Sequence, residues 1–304
     1  MLLKKLIKNC PEKFSNIKIS GLSLNSKDIK PGYIFFAKKG YNKNGSDYAL
    51  DALNRGATVI ISENLITINK KVILIRVSNI SKHIEYACKA FFKDLPKNII
   101  AVTGTNGKTS VADFFRQIFL INKTQVASIG TLGIKKNSQT KPSTLTSPDI
   151  ISLYKELSIM KKNKINNVII EASSHGLHQG RLNGLNIKCG IFTNFSQDHL
   201  DYHKSMKRYY DAKTILFKKL LKRKSTVITS SDFVKLKNLK KICKAKDLKM
   251  MTEKKLKLDF SVFPKKIIGT FQKKNFAQAA LAASLCGIKN NFLQKALKKI
   301  KHVN

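Results

Sequence analysis

Three short runs of this sequence carry residue types at spacings that could do chemistry. The first is Thr103-Gly104-Thr105-Asn106-Gly107-Lys108-Thr109-Ser110, set between an apolar stretch and an amphipathic one. Glycines let backbone N–H groups curl around a phosphate, and a helix N-terminus adds positive dipole. Lys108 then reaches the terminal phosphates and Thr109 offers its hydroxyl to magnesium. The run departs once from the usual G-x-x-x-x-G-K-[ST], because Val102 stands where the first glycine would be. A plain turn is the alternative, since Gly-Lys-Thr arises easily in a lysine-rich chain. The second run is Glu171-Ala172-Ser173-Ser174-His175-Gly176-Leu177, after Val168-Ile169-Ile170. A carboxylate at the C-terminal end of a buried parallel strand, on the same sheet as a phosphate loop, suits a magnesium ligand. Equally, Glu171 can simply end a strand while Ser173 caps the next turn. The third run, Thr193 to His203, holds Asp198, His199, Asp201 and His203 within six residues. These could bind a divalent cation, and His199 could share one with Glu171; a solvated polar loop is the plainer reading. Lys213, on an apolar helical stretch, is marked by nothing in its residue type.

The elements that must position these runs follow from apolar periodicity. Ile99 to Val102 reads as a strand, Thr103 to Lys108 as a loop, and Thr109 to Ile121 as a helix with Val111, Phe114, Phe115, Ile118 and Phe119 on its apolar stripe. Helices are expected over 150–162, 209–221, 275–286 and 291–300, and strands over 167–171 and 189–193. This alternation predicts a parallel α/β sheet with crossovers. Upstream, Tyr33 to Ala37, Thr58 to Ile61 and Val72 to Ile75 read as strands, with a helix from Tyr48 closing near Gly56 and another capped by Ser81 and reaching Phe92. Leu95-Pro96-Lys97 reads as a hinge between two domains, 1–96 and 97–304.

Length and composition agree with two domains: 304 residues, 42% hydrophobic and 25% charged, exclude a wholly disordered chain. No apolar run reaches membrane-spanning length and no signal peptide is evident, so the expected compartment is the cytoplasm. Five scattered cysteines form no C-x-x-C pair, which argues against a disulfide framework or a zinc site. The formal charge of +40 raises nucleic acid as a partner. Only six of the 58 basic residues are arginine, however, and phosphate and base readers favour the arginine fork. The reading is therefore a solvated lysine surface, with neither nucleic acid nor membrane as partner.

Taken together and in order, these segments closely resemble the Mur ligase superfamily, and within it the UDP-N-acetylmuramoyl-tripeptide synthetases. TGTNGKTS is similar to the ATP loop, EASSHGLHQGR to the substrate-loop signature, and TNFSQDHLDYHKSMKRYYDAK to the segment ending in a carbamylated lysine. IGTFQKKNFAQAALAA resembles the G-x-F-N-x-x-N adenine segment, with Gln272 in place of the first Asn. Leu24-Asn25-Ser26-Lys27 through Gly40 resembles the L-D-S-R…P-G-D-L-F-V-A…G pattern at the uridine end of the substrate. Asn25 and Lys27 replace its Asp and Arg, and Leu145 stands where a polar residue often precedes the threonine pair.

The resemblance implies an α/β chain with a small N-terminal uridine-binding domain and a central, P-loop-type ATP-binding domain with a parallel sheet. It implies ATP and Mg2+ as cofactors, and UDP-N-acetylmuramoyl-L-alanyl-D-glutamate and a diamino acid as substrates, meso-diaminopimelate ahead of L-lysine. Lys108 and the amides of Gly104, Thr105, Asn106, Gly107, Thr109 and Ser110 would hold ATP, with Asn275 at the adenine. Thr109 and Glu171 would ligate one magnesium, His199 and carbamylated Lys213 a second. Thr146, Ser147, Ser173, Gln179 and Arg181 would hold the muramoyl dipeptide, and Leu24, Ser26, Tyr41, Asn42 and Lys43 the uridine end. The family ordinarily continues into a third, Rossmann-like domain that supplies the amino-acid site. The expectation is thus a chain lacking that domain: a monomer, or one half of a split enzyme partnered by a separately encoded C-terminal ligase domain. The alternative is a truncated product that binds ATP and UDP-sugar peptide without joining them.

Overall fold

The computed structural model describes residues 1–40, 43–67, 72–142, 146–267 and 269–302. It divides into two compact units, 1–94 with 149–158, and 95–148 with 159–304. Among the described residues no helix is long and apolar enough to cross a membrane.

The first unit is built from β1 (Gly21–Ser23), β2 (Tyr33–Phe36), α1 (Ala49–Asn54), β3 (Ala57–Ser62), β4 (Ile73–Arg76) and α2 (Ile80–Phe91). The strands pair in parallel in the order β1-β2-β3-β4. Strands of a parallel sheet covered on both faces read as near-continuous apolar runs, which is why β2 and β3 are Tyr-Ile-Phe-Phe and Ala-Thr-Val-Ile-Ile-Ser. Phe35 and Ile60 meet Ala49 and Ala52 of α1 and Ile29 in the core. The cap of α2 differs from expectation. Asn79, not Ser81, caps it, its side chain accepting from Lys82 N at 2.9 Å. The helix thus begins at Ile80, which is buried, two residues earlier than a Ser81 cap would place it.

In the second unit β5 (Asn98–Thr103) enters the loop that precedes α3 (Lys108–Ile121). Next come β6 (Ala127–Gly130), β7 (Gly133–Lys136), β8 (Gln139–Lys141), α4 (Ile150–Lys162), β9 (Asn167–Glu171), α5 (Ser174–His178) and β10 (Ile187–Phe192). The chain then forms α6 (Leu200–His203), α7 (Met206–Ile215), β11 (Thr226–Thr229), α8 (Leu236–Lys246), β12 (Lys249–Met251), α9 (Thr270–Leu285) and α10 (Asn290–Lys299). The first turns of α4 belong to the first unit and its end to the second.

The eight strands lie in the order β12-β11-β10-β5-β9-β6-β7-β8. Six are parallel, but β7 pairs antiparallel with both β6 and β8, an edge meander that the expected alternation of strand and helix does not contain. Its outermost strand, Gln139-Thr140-Lys141, is wholly exposed, so no apolar run betrays it. The helix expected from Tyr209 begins at Met206, capped by Ser205, and passes at Leu216–Leu220 into a π-helical turn. The helix expected from Asn275 begins at Thr270, five residues early. Phe114, Phe115, Ile118 and Phe119 of α3 pack against Phe276, Ala279 and Ala280 of α9, so the helix that carries the loop is fixed by its whole apolar stripe. Farther along α3, Gln117 clamps the backbone beyond α10: Lys301 N donates to Gln117 Oε1 at 2.7 Å, and Gln117 Nε2 donates to Lys301 O at 3.1 Å.

Candidate active site

The loop after β5 is braced from its neighbour strand. Thr105 N donates to Asn194 O at 3.1 Å, Asn106 N to Asn194 Oδ1 at 2.9 Å, and Thr193 Oγ1 to Asn106 O at 2.6 Å. Gly104 lies at φ 151°, and a Cβ there would fall 1.8 Å from Thr193 Oγ1, so only glycine admits this approach. Gly107, at φ 82°, is the N-cap of α3, and a Cβ on it would meet Asn275 Oδ1 at 2.7 Å. Asn275 is therefore held against the loop, its Nδ2 donating to Gln272 Oε1 at 3.1 Å. Two of the loop amides named for phosphate are already bonded to Asn194. This leaves the amides of Gly107, Lys108, Thr109 and Ser110, which precede the first i→i−4 bond of the helix, as the anion-facing set.

Lys108 folds back onto its own loop, donating to Gly104 O at 2.9 Å and Thr105 O at 2.7 Å. Burial lowers its pKa, opposed by the charges of Glu171 and Asp198. Thr109 Oγ1 donates to Glu171 Oε2 at 3.0 Å; Thr131 N and Oγ1 donate to the same carboxylate, each at 3.1 Å. Glu171 is 2% exposed, and burial raises its pKa despite those bonds. A desolvated carboxylate whose direct partners are neutral donors calls for a cation, and its oxygen with the Thr109 hydroxyl is a hard-oxygen set that fits magnesium. Thr131, at the end of β6, had no signal beyond a threonine after a short apolar run.

The second expected cation position is not assembled in the unmodified chain. Lys213 is 1% exposed, and its Nζ donates to Gly104 O at 2.7 Å and lies 4.3 Å from the Tyr209 ring centre. Burial, then Lys108, pushes its pKa down to about 7. An ammonium is a donor and not a ligand, so Lys213 fits a cation site only as the carbamate. His199 sits at φ 51° with its backbone N donating to Asp198 Oδ1 at 2.9 Å and its Nε2 3.4 Å from Asp198 Oδ2. Among the described residues no three His, Cys, Asp or Glu side chains converge on a cation position. His199 thus engages Asp198, while Glu171 engages Thr109 and Thr131.

Around Glu171 stand the residues named for the dipeptide. Ser147 Oγ donates to Glu171 O at 2.8 Å and lies 3.3 Å from Ser173 Oγ, which in turn caps α5 by accepting from Gly176 N at 3.0 Å. Ser173 is therefore a cap whatever else it does. Thr146 Oγ1 lies 3.3 Å from Thr131 Oγ1. Arg181 donates through Nε and Nη2 to Gln179 Oε1, at 3.0 and 2.7 Å, and through Nη1 to Ser147 O. Next to this cradle His175, His178, His199 and His203 gather around Tyr202 and Tyr209, with His175 and Tyr202 ring centres 4.0 Å apart. His203 is 5% exposed; burial, then His175, pushes its pKa down to about 4, and its Nε2 has no hydrogen-bond partner among the described residues.

Of the residues named for the uridine end, Ser26 is buried and is the first cause holding the Asp51 carboxyl below its usual range. Leu24 is half-buried, Lys43 is exposed with its Nζ 5.7 Å from the Tyr48 ring centre, and Tyr41 and Asn42 lie outside the described residues. Asn25, where the pattern has Asp, caps the turn over Ser26–Asp28 by accepting from Lys27 N at 3.2 Å.

Comparisons with known proteins place the chain in a family. Residues 102–290 match the Mur ligase middle domain, and residues 18–98 match the model described as Mur ligase family, catalytic domain. A UDP-N-acetylmuramoyl-L-alanyl-D-glutamate–2,6-diaminopimelate ligase of Rickettsia typhi is 35% identical over 321 residues, covering 97% of this chain. One from Rhizobium meliloti is 36% identical over 218 residues, covering 72% of this chain and 45% of its own. The chain spans 65% of the length of the Rickettsia typhi relative. A solved structure of a ligase of the same name superimposes with a TM-score of 0.83 at 25% identity, covering 100% of this chain and 68% of that one. A MurF ligase from Thermotoga maritima, solved in complex with ADP, shares the fold at a TM-score of 0.63 and 18% identity over 94% of this chain. With both family models matched in order and a relative at 35% identity over 97% of this chain, this chain belongs to the Mur ligase family.

Proposed function

We propose that this chain is the substrate-binding and ATP-binding portion of a ligase that joins meso-diaminopimelate to UDP-N-acetylmuramoyl-L-alanyl-D-glutamate. The observation that carries the reading is the Thr109–Glu171 bond at the end of a P-loop-type helix, immediately beside the Ser147–Ser173–Arg181 cradle. A phosphate donor and a carboxylate acceptor bound at these two places would lie next to each other.

A carboxylate does not form an amide at neutral pH without activation. ATP supplies it by phosphorylating the side-chain carboxylate of the D-glutamate, and the amine of the diamino acid displaces phosphate through a tetrahedral intermediate. Lys108 exchanges its loop carbonyls for the β- and γ-phosphates, while the amides of Gly107 to Thr109 face the same oxygens. Asn275, held against Gly107, borders the adenine. Arg181, oriented by Gln179 and Ser147, grips a dipeptide carboxylate, and Leu24, Ser26 and Lys43 of the first unit serve the uridine end. Thr109 and Glu171 hold magnesium, which when bound spreads the negative charge of the phosphates. Lys213, neutral for much of its time near pH 7, reacts with carbon dioxide, loses a proton and becomes a carboxylate-bearing partner for His199. The first unit would be the nucleotide-sugar domain and the second the ATP domain.

Calorimetry of the purified chain tests the reading: it expects binding of both ATP–Mg2+ and UDP-N-acetylmuramoyl-L-alanyl-D-glutamate, and absence of either removes it. Binding of both without ligation, when diaminopimelate is supplied, assigns the chain a binding role only. A carbon-13 carbamate resonance from labelled bicarbonate, absent in Lys213→Met, tests the modification.

A further inference from the structure

Four of the chain's six histidines and Tyr202 pack together, and the proposed reaction uses only His199 among them. Tyr202 is the member with contacts in two directions. Its ring lies 4.0 Å from the His175 ring, 4.8 Å from His203 and 5.7 Å from His178, measured between centres. Its hydroxyl lies 3.0 Å from His178 Nδ1 and accepts from Gln179 Nε2 at 3.4 Å. Gln179 is an amide with two distinct ends. Its Oε1 takes both Nε and Nη2 of Arg181, so its Nε2 must find an acceptor elsewhere, and the Tyr202 hydroxyl provides one. Arg181 reaches on to Ser147 O. A continuous path therefore runs from α6, which also carries the His199 segment, through Tyr202 and Gln179 to the guanidinium. α6 is only four residues long, too short to hold its own geometry, and is kept in place by the ring stack around it.

We propose that Tyr202 is a positioning residue: its hydroxyl fixes the amide orientation of Gln179, and thereby aims Arg181 at an acidic dipeptide while tying that cradle to the His199 segment. The inference rests on the reading that the cradle binds UDP-N-acetylmuramoyl-L-alanyl-D-glutamate. The ring is needed for packing and the hydroxyl for aiming, so Tyr202→Phe separates the two.

The experiment compares wild type with Tyr202→Phe. Affinity for the UDP-sugar dipeptide is expected to fall about 5-fold, the effect of one neutral hydrogen bond, with ATP–Mg2+ affinity and melting temperature unchanged. In a Gln179→Leu background, Tyr202→Phe should add nothing, since the path is already cut. A readout that needs no ligand accompanies these: the Gln179 side-chain amide and Arg181 Nε–H signals in the free protein should shift and exchange faster in Tyr202→Phe. Unchanged signals, or a full 5-fold loss persisting in the Gln179→Leu background, overturn the inference. If wild type itself fails to bind the UDP-sugar dipeptide, the functional reading falls, while the amide and guanidinium signals still decide the role of Tyr202.

Discussion

Thr109 and Glu171 are bonded to each other at 3.0 Å in the unliganded chain, whereas His199 and Lys213 use their polar atoms on Asp198 and on Gly104 O. The first pair is ready because strand and helix place it: Glu171 ends β9, Thr109 begins α3, and both elements are locked into the core. The second pair comes from a four-residue helix and a lysine that lies in the wrong chemical state for a ligand. One pair is thus brought together by folding alone, whereas the proposed second pair would need the carbamate on Lys213. Both halves meet at one backbone atom, since Lys108 and Lys213 donate to the same Gly104 carbonyl. In the proposed reading a phosphate would draw Lys108 away from that shared acceptor.

The largest test of this contrast is Lys108→Ala. Removing the charge from the preformed half should weaken ATP binding about 100-fold by calorimetry, as truncation of a buried charged partner does. An effect under a few-fold would mean that the loop is not the phosphate cradle. Next is the acid response of the histidine stack. The unfolded imidazole takes up a proton near 6.5, but folded His203 resists until about 4. Its contribution to stability is thus complete above pH 6.5 and lost as pH falls toward 4, about 2 kcal/mol between pH 7 and 4.5. Urea melts of wild type and His203→Gln at both pH values should show an acid loss of stability smaller in the variant by about that amount.

Glu171→Gln should cut the magnesium-dependent part of ATP affinity about 10-fold while leaving metal-free binding in place, an effect of a single charge-assisted contact. The same change should raise the metal-free melting temperature. The folded carboxyl has a raised pKa, so in wild type stability is greatest below the ordinary carboxylate range and declines as pH rises through the raised value; the amide has no such slope. His199→Ala should be the mildest, changing ATP affinity by less than about 2-fold, because an exposed imidazole paired to an exposed aspartate contributes little. A 10-fold loss there would show that the second half is as preformed as the first.

The preformed half was the legible one. An apolar strand, two glycines, Gly-Lys-Thr and an amphipathic stripe are local signals that marked Lys108 and Thr109, while Glu171 stood open between a ligand and a plain strand end until the fold bonded it to Thr109. What the sequence hid was set by distant neighbours. Lys213 looks like any surface lysine, and only its position under Tyr209 and Gly104 makes it a buried base. Thr131 reaches Glu171 from the end of the neighbouring strand, 40 residues back along the chain, with nothing in its own neighbourhood to announce it. Asn194 takes two loop amides from ninety residues away along the chain, which no loop motif could convey. β8 escaped notice because an exposed edge strand needs no apolar alternation. His199 and Glu171, alike suited to a cation by residue type, take different partners in the fold, Asp198 for the one and Thr109 with Thr131 for the other.

The lysines that dominate the composition also lie where the large sheet ends. β8 finishes with exposed Lys141 and β12 begins with exposed Lys249, so both outer strands of the sheet carry exposed cations. A second sheet approaching either edge would have to bury those charges to gain its hydrogen bonds. A surface so basic thus keeps an eight-stranded sheet from adding a ninth strand from another molecule.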